Sequence, residues 1–191
     1  MRNHVRHTVL GIRVTRDAGV ELRLITGEQI ELEALQHVLE AVPHYARIVS
    51  GAPFGPDEAL QTYTELPEGK TRIDKFVFGI HHNNEMIGCV DLVRGYPVPS
   101  TAMLGLLAII EDLQGQGLGT EIQQRIEEVV CSWDTCERIR IGVVAANDLA
   151  FLFWHSVGFV PTGERKTYTH GTFVSEVVVL EKSLCSARVD A

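Results

Sequence analysis

Gln114-Gly115-Gln116-Gly117-Leu118-Gly119-Thr120 separates two segments of different periodicity, and its reading decides the fold. Before it, Leu104 to Ile110 is an apolar run that reads as a buried strand. After it, Leu118, Ile122, Ile126, Val129, Val130 and Trp133 fall on one face of a helix. A glycine-rich turn that opens a helix leaves several backbone N–H groups aimed at one point. Together with the positive end of the helix dipole they form an anion site. Glycine lets a phosphate reach the backbone with no Cβ in the way. The segment therefore points to a phosphorylated cofactor.

The spacing excludes two common phosphate loops. A dinucleotide fold needs G-x-G-x-x-G, whereas this chain has Gly115, Gly117 and Gly119 with Glu121 beyond them. A P-loop needs a Gly-Lys-Ser/Thr ending, and the run has no such lysine. A tight strand–helix turn without a ligand remains open on this segment alone.

A second segment lies about thirty residues downstream, Asn147-Asp148-Leu149-Ala150-Phe151-Leu152-Phe153-Trp154-His155-Ser156-Val157-Gly158-Phe159. Between the two is an apolar strand, Ile139 to Val144. Leu107-Ala108-Ile109 followed by Gln114-x-x-Gly117-x-Gly119 resembles the acyl-CoA pyrophosphate loop of the GNAT family of N-acetyltransferases. Asn147-x-x-Ala150-x-x-Phe153-Trp154-x-x-x-Gly158-Phe159 resembles that family's second cofactor motif. The two occur in the family's order. The resemblance is specific from Ala102 to about Leu180 and weaker, though compatible, from Val20 to Ser100.

The resemblance implies a single-domain α/β (α+β) acyl-CoA N-acyltransferase fold. Its mixed, mostly antiparallel sheet is splayed at the middle to admit the cofactor and flanked by helices. It also implies transfer of an acetyl group from acetyl-CoA, by direct attack, to a primary amine of a small molecule or an amino-terminal group. On this reading Gln114, Gly115, Gln116, Gly117, Leu118, Gly119 and Thr120 cradle the pyrophosphate. Leu107, Ala108 and Ile109 pair through their backbones with the pantetheine arm, and the N–H near Leu107 polarises the thioester carbonyl. Leu107 and Ile109 also suit plain core. Asn147, Phe153 and Trp154 complete the cofactor set, although Asn147 serves equally as a helix cap. A homodimer joined through a sheet edge or the last strands is a further implication.

Two positions depart from the family pattern. Trp154 stands where many relatives carry a tyrosine acid, and indole donates a hydrogen bond but no proton. Gly142 stands where some relatives carry a glutamate base. An alkylamine has a pKa of about 10, so a group must take its proton. Asp91, ending the apolar strand Ile87 to Leu92, is the first candidate base, with a salt bridge to Arg94 as the alternative. Tyr96 and then Tyr168 are candidates for shaping the acceptor site, against ordinary packing roles. His155 is expected to face solvent. Two other functions stay open: a non-catalytic acyl-CoA-binding regulatory domain, and an unrelated nucleotide-binding domain.

The 191 residues are 45% hydrophobic and 22% charged, which suits one domain with a sizeable core. We expect a domain over 20–184, an N-terminal extension over 1–19 and a C-terminal tail over 185–191. A net charge of −8 argues against a nucleic-acid partner and favours cationic ones. No apolar run approaches the ~20 residues of a membrane helix, and no signal-peptide core follows the basic first residues. The expectation is a cytoplasmic protein with no membrane partner. Cys89, Cys131, Cys136 and Cys185 form no C-x-x-C pair, and the eight histidines meet no ligand signature, so no metal is expected.

Along the chain, Val20 to Ile25 reads as a strand, and Thr26 to Gln29 has capping-box spacing ahead of a helix ending before Pro43. Gly55 to Glu58 starts another helix. Phe76 to Ile80 and Met86 to Leu92 form a hairpin through Asn83-Asn84. Asn147 to Val157 is a capped helix, and Val174 to Leu180 closes the sheet after a turn at His170-Gly171.

Overall fold

The computed structural model describes residues 19–184. The strands are β1 (Glu21–Leu24), β2 (Lys75–His82), β3 (Glu85–Arg94), β4 (Thr101–Ile109), β5 (Arg138–Val144), β6 (Val160–His170) and β7 (Phe173–Ser183). They form one sheet in the order β1-β2-β3-β4-β5-β7-β6. Every neighbouring pair is antiparallel except β4 and β5, which run parallel.

The sheet parts at that parallel pair. β4 and β5 are in register only from Thr101↔Arg138 to Leu104↔Ile141. Beyond Leu104, β4 follows β3 as far as Ile109, while β5 follows β7 as far as Val144. The separation begins at a bulge. Asp91 faces Leu106 and Leu92 faces Leu104, so Gly105 is the extra residue. A bulge bends its strand and raises the local twist, which carries β4 away from β5. Asp91 also explains why the residue is glycine, since a Cβ there would lie 2.9 Å from Asp91 Oδ2.

Helices cover both faces, as strands with two apolar faces demand. On one face α1 (Gln29–Glu40), α2 (Pro43–Ser50) and α3 (Glu58–Thr64) bring Leu35, Val38, Leu39, Tyr45 and Ala59 onto Val77, Cys89 and Ala108. On the other, α4 (Leu118–Cys131) and α5 (Asp148–Ser156) bring Ile122, Ile126, Val130 and Trp154 onto Val90, Leu104, Ile139 and Leu180. This is the mixed, helix-flanked sheet read from the order of strands and helices, with the splay that the family resemblance implied.

Three details differ from the sequence reading. The cap of α1 lies two residues later than Thr26. Glu28 is the N-cap, and the Glu31 carboxylate accepts from the N–H groups of Thr26, Gly27 and Glu28. Pro43 ends α1 but also opens α2 at its first turn, where a missing N–H costs nothing. The first arm of the last hairpin, β6, has no apolar face to announce it, because it is a largely exposed edge strand. The Asn83-Asn84 hairpin is as expected, with φ of 50° and 66°. Cys185 and the expected segments over 1–18 and 185–191 lie outside the described residues.

Candidate active site

The glycine loop presents a row of free donors. Gly115 and Gly117 have φ of 73° and 87°, a region closed to most side chains, and Gly117 is the N-cap of α4. A Cβ on either would meet nothing within 4 Å, so the space above the loop is open. The Gln114 N–H donates to Glu111 O at 3.1 Å, and its side-chain Nε2 donates to Ile109 O at 2.7 Å. These bonds tie the loop to the end of β4. The Thr120 N–H turns back onto Gly117 O at 3.2 Å. Among the described residues, none accepts from the N–H groups of Gly115, Gln116, Gly117, Leu118 or Gly119. Unpaired amides at the N-terminus of a 14-residue helix form an anion cradle. Gly119 has a different reason: a Cβ there would lie 3.1 Å from the Phe153 ring, so glycine lets α4 approach α5.

From the loop, a cavity of about 900 Å³ follows the gap between β4 and β5. Leu107, Ala108 and Ile109 line one side, and Gly142, Val143 and Val144 the other. Ile110 donates its N–H to Ile87 O on β3 at 3.0 Å. Alternation along an antiparallel ladder then turns the main-chain groups of Ile109 and Leu107 towards the gap. The bond from Gln114 to Ile109 O fits that orientation. Side chains of this stretch stay in the core, with Ala108 and Ile109 buried. Core packing and an open main-chain edge therefore coexist in the same residues.

Asn147 caps α5, its Oδ1 accepting from the Ala150 N–H at 3.1 Å, and also borders the cavity. Trp154 is 8% exposed and packs edge-on between Phe153 and Phe159, with centroids 4.9 and 5.0 Å away. It is a core residue with one side on the cavity. His155 is exposed.

A second cavity, about 410 Å³, opens on the α1–α3 side. Tyr45, Gly105, Leu106 and Tyr168 border both cavities, so they meet at the bulge, beside Leu107. Asp91 and Tyr96 lie here, as does a group that the sequence reading did not select, Glu58 with His170. Asp91 pairs with Lys75, Nζ to Oδ2 at 2.9 Å, and not with Arg94, which reaches Asp74 at 3.9 Å. The other oxygen of Asp91 is enclosed without a hydrogen-bond partner. Burial pushes the Asp91 carboxyl above the usual range, opposed by Lys75. Burial also raises the Tyr45 hydroxyl, and it takes the nearby Cys89 thiol up to about 12, with Asp91 adding. Both stay protonated at neutral pH. Glu58 was visible only as a helix-start carboxylate. Its proximity to His170 joins residues over a hundred positions apart, which no local pattern encodes.

Among the described residues no three His, Cys, Asp or Glu side chains gather to hold a metal, and no helix is long and apolar enough to cross a membrane.

Comparison with known proteins agrees with this geometry. No curated protein matches the sequence. Among solved structures, an acetyltransferase from Thermus thermophilus superposes with a TM-score of 0.68 at 22% identity, covering 87% of this chain and 97% of that one. The ribosomal-protein-S18-alanine N-acetyltransferase from Escherichia coli gives 0.62 at 16%, covering 90% and 98%. The spermidine N-acetyltransferase from Vibrio cholerae, in complex with CoA and spermine, gives 0.66 at 17%, covering 86% and 95%. At these identities the likeness is one of fold. The model of the acetyltransferase (GNAT) family matches residues 43–159, from α2 through the glycine loop to the end of the second motif. That span is more than half of the chain, and the chain belongs to the acetyltransferase (GNAT) family, with acyl transfer as its class of chemistry.

Proposed function

We propose that this protein is an acetyl-CoA-dependent N-acetyltransferase that acetylates a primary amine of a small molecule or an amino-terminal group. The observation that carries the reading is the junction of the unpaired amides at Gly115–Gly119 with the β4–β5 gap. A diphosphate fits the amides and a pantetheine arm fits the gap, hydrogen-bonded along Leu107 and Ile109 as a strand would be. The thioester then lies beside the bulge, where the acceptor cavity enters. The Leu107 N–H is aimed at the charge that develops on the thioester oxygen, and such a donor lowers a barrier by about 3 kcal/mol. The amine attacks the thioester carbon, the C–S bond breaks, and sulfur keeps the electron pair. Asp91 and Tyr96 border the acceptor side. Asp91 is the candidate base of the sequence reading, although its engagement with Lys75 favours a role in fixing the floor of that cavity.

A second reading, a regulatory acyl-CoA-binding domain, draws support from the absence of a proton donor at Trp154 and of a carboxylate at Gly142. A thiol-release assay with acetyl-CoA and a panel of amines separates the two. Turnover above the amine-free rate supports the enzyme. Tight CoA binding with no turnover on any amine supports the regulatory domain.

A further inference from the structure

Glu58 sits in the first turn of α3 with its side chain 13% exposed, inside the acceptor cavity. His170, at the end of β6, reaches across with Nε2 at 3.9 Å from Glu58 Oε2. None of the described residues donates a hydrogen bond to the Glu58 carboxylate, which leaves both oxygens for a ligand. The other enclosed carboxylate of this cavity, Asp91, is bound to Lys75. That pair cancels in charge, so Glu58 and the exposed Glu65 make the cavity negative. A negative, partly enclosed wall next to a thioester site draws in an ammonium group.

We propose that Glu58, backed by His170, receives the acceptor's ammonium and removes its proton before the amine attacks. The inference rests on the acetyltransferase reading and names a substrate class, a cationic amine with no carboxylate beside it. Glu58 takes one proton from the ammonium and later releases it to solvent. The freed nitrogen pair forms the N–C bond, the C–S bond breaks, and sulfur takes the pair. The nitrogen then loses its second proton, which ends on sulfur. The sum is ammonium plus acetyl-CoA giving amide, CoA thiol and one proton.

The groups facing Glu58 suit this work. Burial raises its carboxyl above the usual range, with His170 opposing and Glu65 adding. A carboxylate so raised is a stronger base than one in water. Tyr45 from α2 and Tyr168 from β6 stay protonated and offer hydrogen bonds, not charge. Tyr96, Lys75 and Asp91 complete the charged and titratable surroundings.

The test uses the full chain, acetyl-CoA, and spermidine, tyramine, glycine and an alanine-initiated peptide as acceptors. Wild type, Glu58→Gln and Glu58→Asp are followed from pH 6 to 9. With the best acceptor, Glu58→Gln should lose about 10²- to 10⁴-fold in kcat. The acidic limb of its pH profile should vanish while the CoA-induced melting shift is kept, and Glu58→Asp should restore part of the rate. Glycine should be the poorest acceptor. Wild-type turnover that Glu58→Gln leaves unchanged, or lowers only through KM or with the same pH profile, overturns the proposal. Wild type that acetylates none of the acceptors contradicts the acetyltransferase reading itself. Glu58→Gln should melt no lower than wild type, since it removes a carboxylate that burial disfavours.

Discussion

Gly117→Ala separates the two demands placed on the loop, its backbone conformation and its ligand. At φ 87° an alanine is strained by about 1–2 kcal/mol, and its Cβ enters space that is otherwise open. For a chain of this size each kcal/mol moves Tm by about 2–4 °C, so the apo variant should melt about 2–8 °C lower. On the proposed reading the methyl group lies where the diphosphate would sit. Losing one charge-assisted hydrogen bond, about 1.5–3 kcal/mol, weakens CoA by about 10- to 150-fold. At a CoA concentration of 100 Kd the wild type gains about 2.7 kcal/mol. In the variant at the same concentration the gain falls to between about half and about a tenth of that. Gly163→Ala is the control. Its φ of 85° carries the same strain, with nothing within 4 Å of the new Cβ and no part in the cavity. Melting curves of both variants, with and without CoA, should show similar apo losses and a reduced CoA shift for Gly117→Ala alone. Equal CoA shifts in the two variants would refute the reasoning.

Lys75→Met should cost about 3–5 kcal/mol at neutral pH, because it strands the buried Asp91 carboxylate. The Asp91 carboxyl is raised in the folded protein, so its contribution to stability is full below the ordinary carboxylate range and is lost as pH rises through the folded value. Without Lys75 that value rises further, so the deficit of Lys75→Met should shrink on acidification in urea melts; a deficit that grows as pH falls would contradict the pairing. Asn147→Ala should lose about 1 kcal/mol, or about 2–4 °C in Tm, from the cap of α5. A reduced CoA shift in the same melts would show that the amide also touches the cofactor, and an unchanged shift would confine it to capping.

The half of the chain proposed to hold the cofactor was legible in its fold because the pattern is local. A strand, a glycine loop and a helix occur in one uninterrupted run; the glycines were read for access to the backbone, and the positive φ of Gly115 and Gly117 is a second demand that the structure adds. Asn147 and Gly158 likewise bound α5 at the expected places. The side chains around the second cavity were not legible. Asp91 chose Lys75, sixteen residues back across the β2–β3 hairpin, over its near neighbour Arg94, because only the register of two strands sets that pair. Glu58 and His170 meet through the packing of α3 against the last hairpin. Edge strand β6 carries charges on both faces, so alternation gives no sign of it. Pro43 was half read, since a proline that stops one helix also starts the next well.

The account depends on the main-chain N–H groups of Gly115, Gln116, Gly117, Leu118 and Gly119 gripping a diphosphate. Amide NMR of isotope-labelled protein, titrated in parallel with CoA and with pantetheine, reads those groups one by one. The prediction is that all five resonances move with CoA and stay in place with pantetheine, which lacks the diphosphate. Resonances that ignore CoA, or that move with ATP instead, would contradict it.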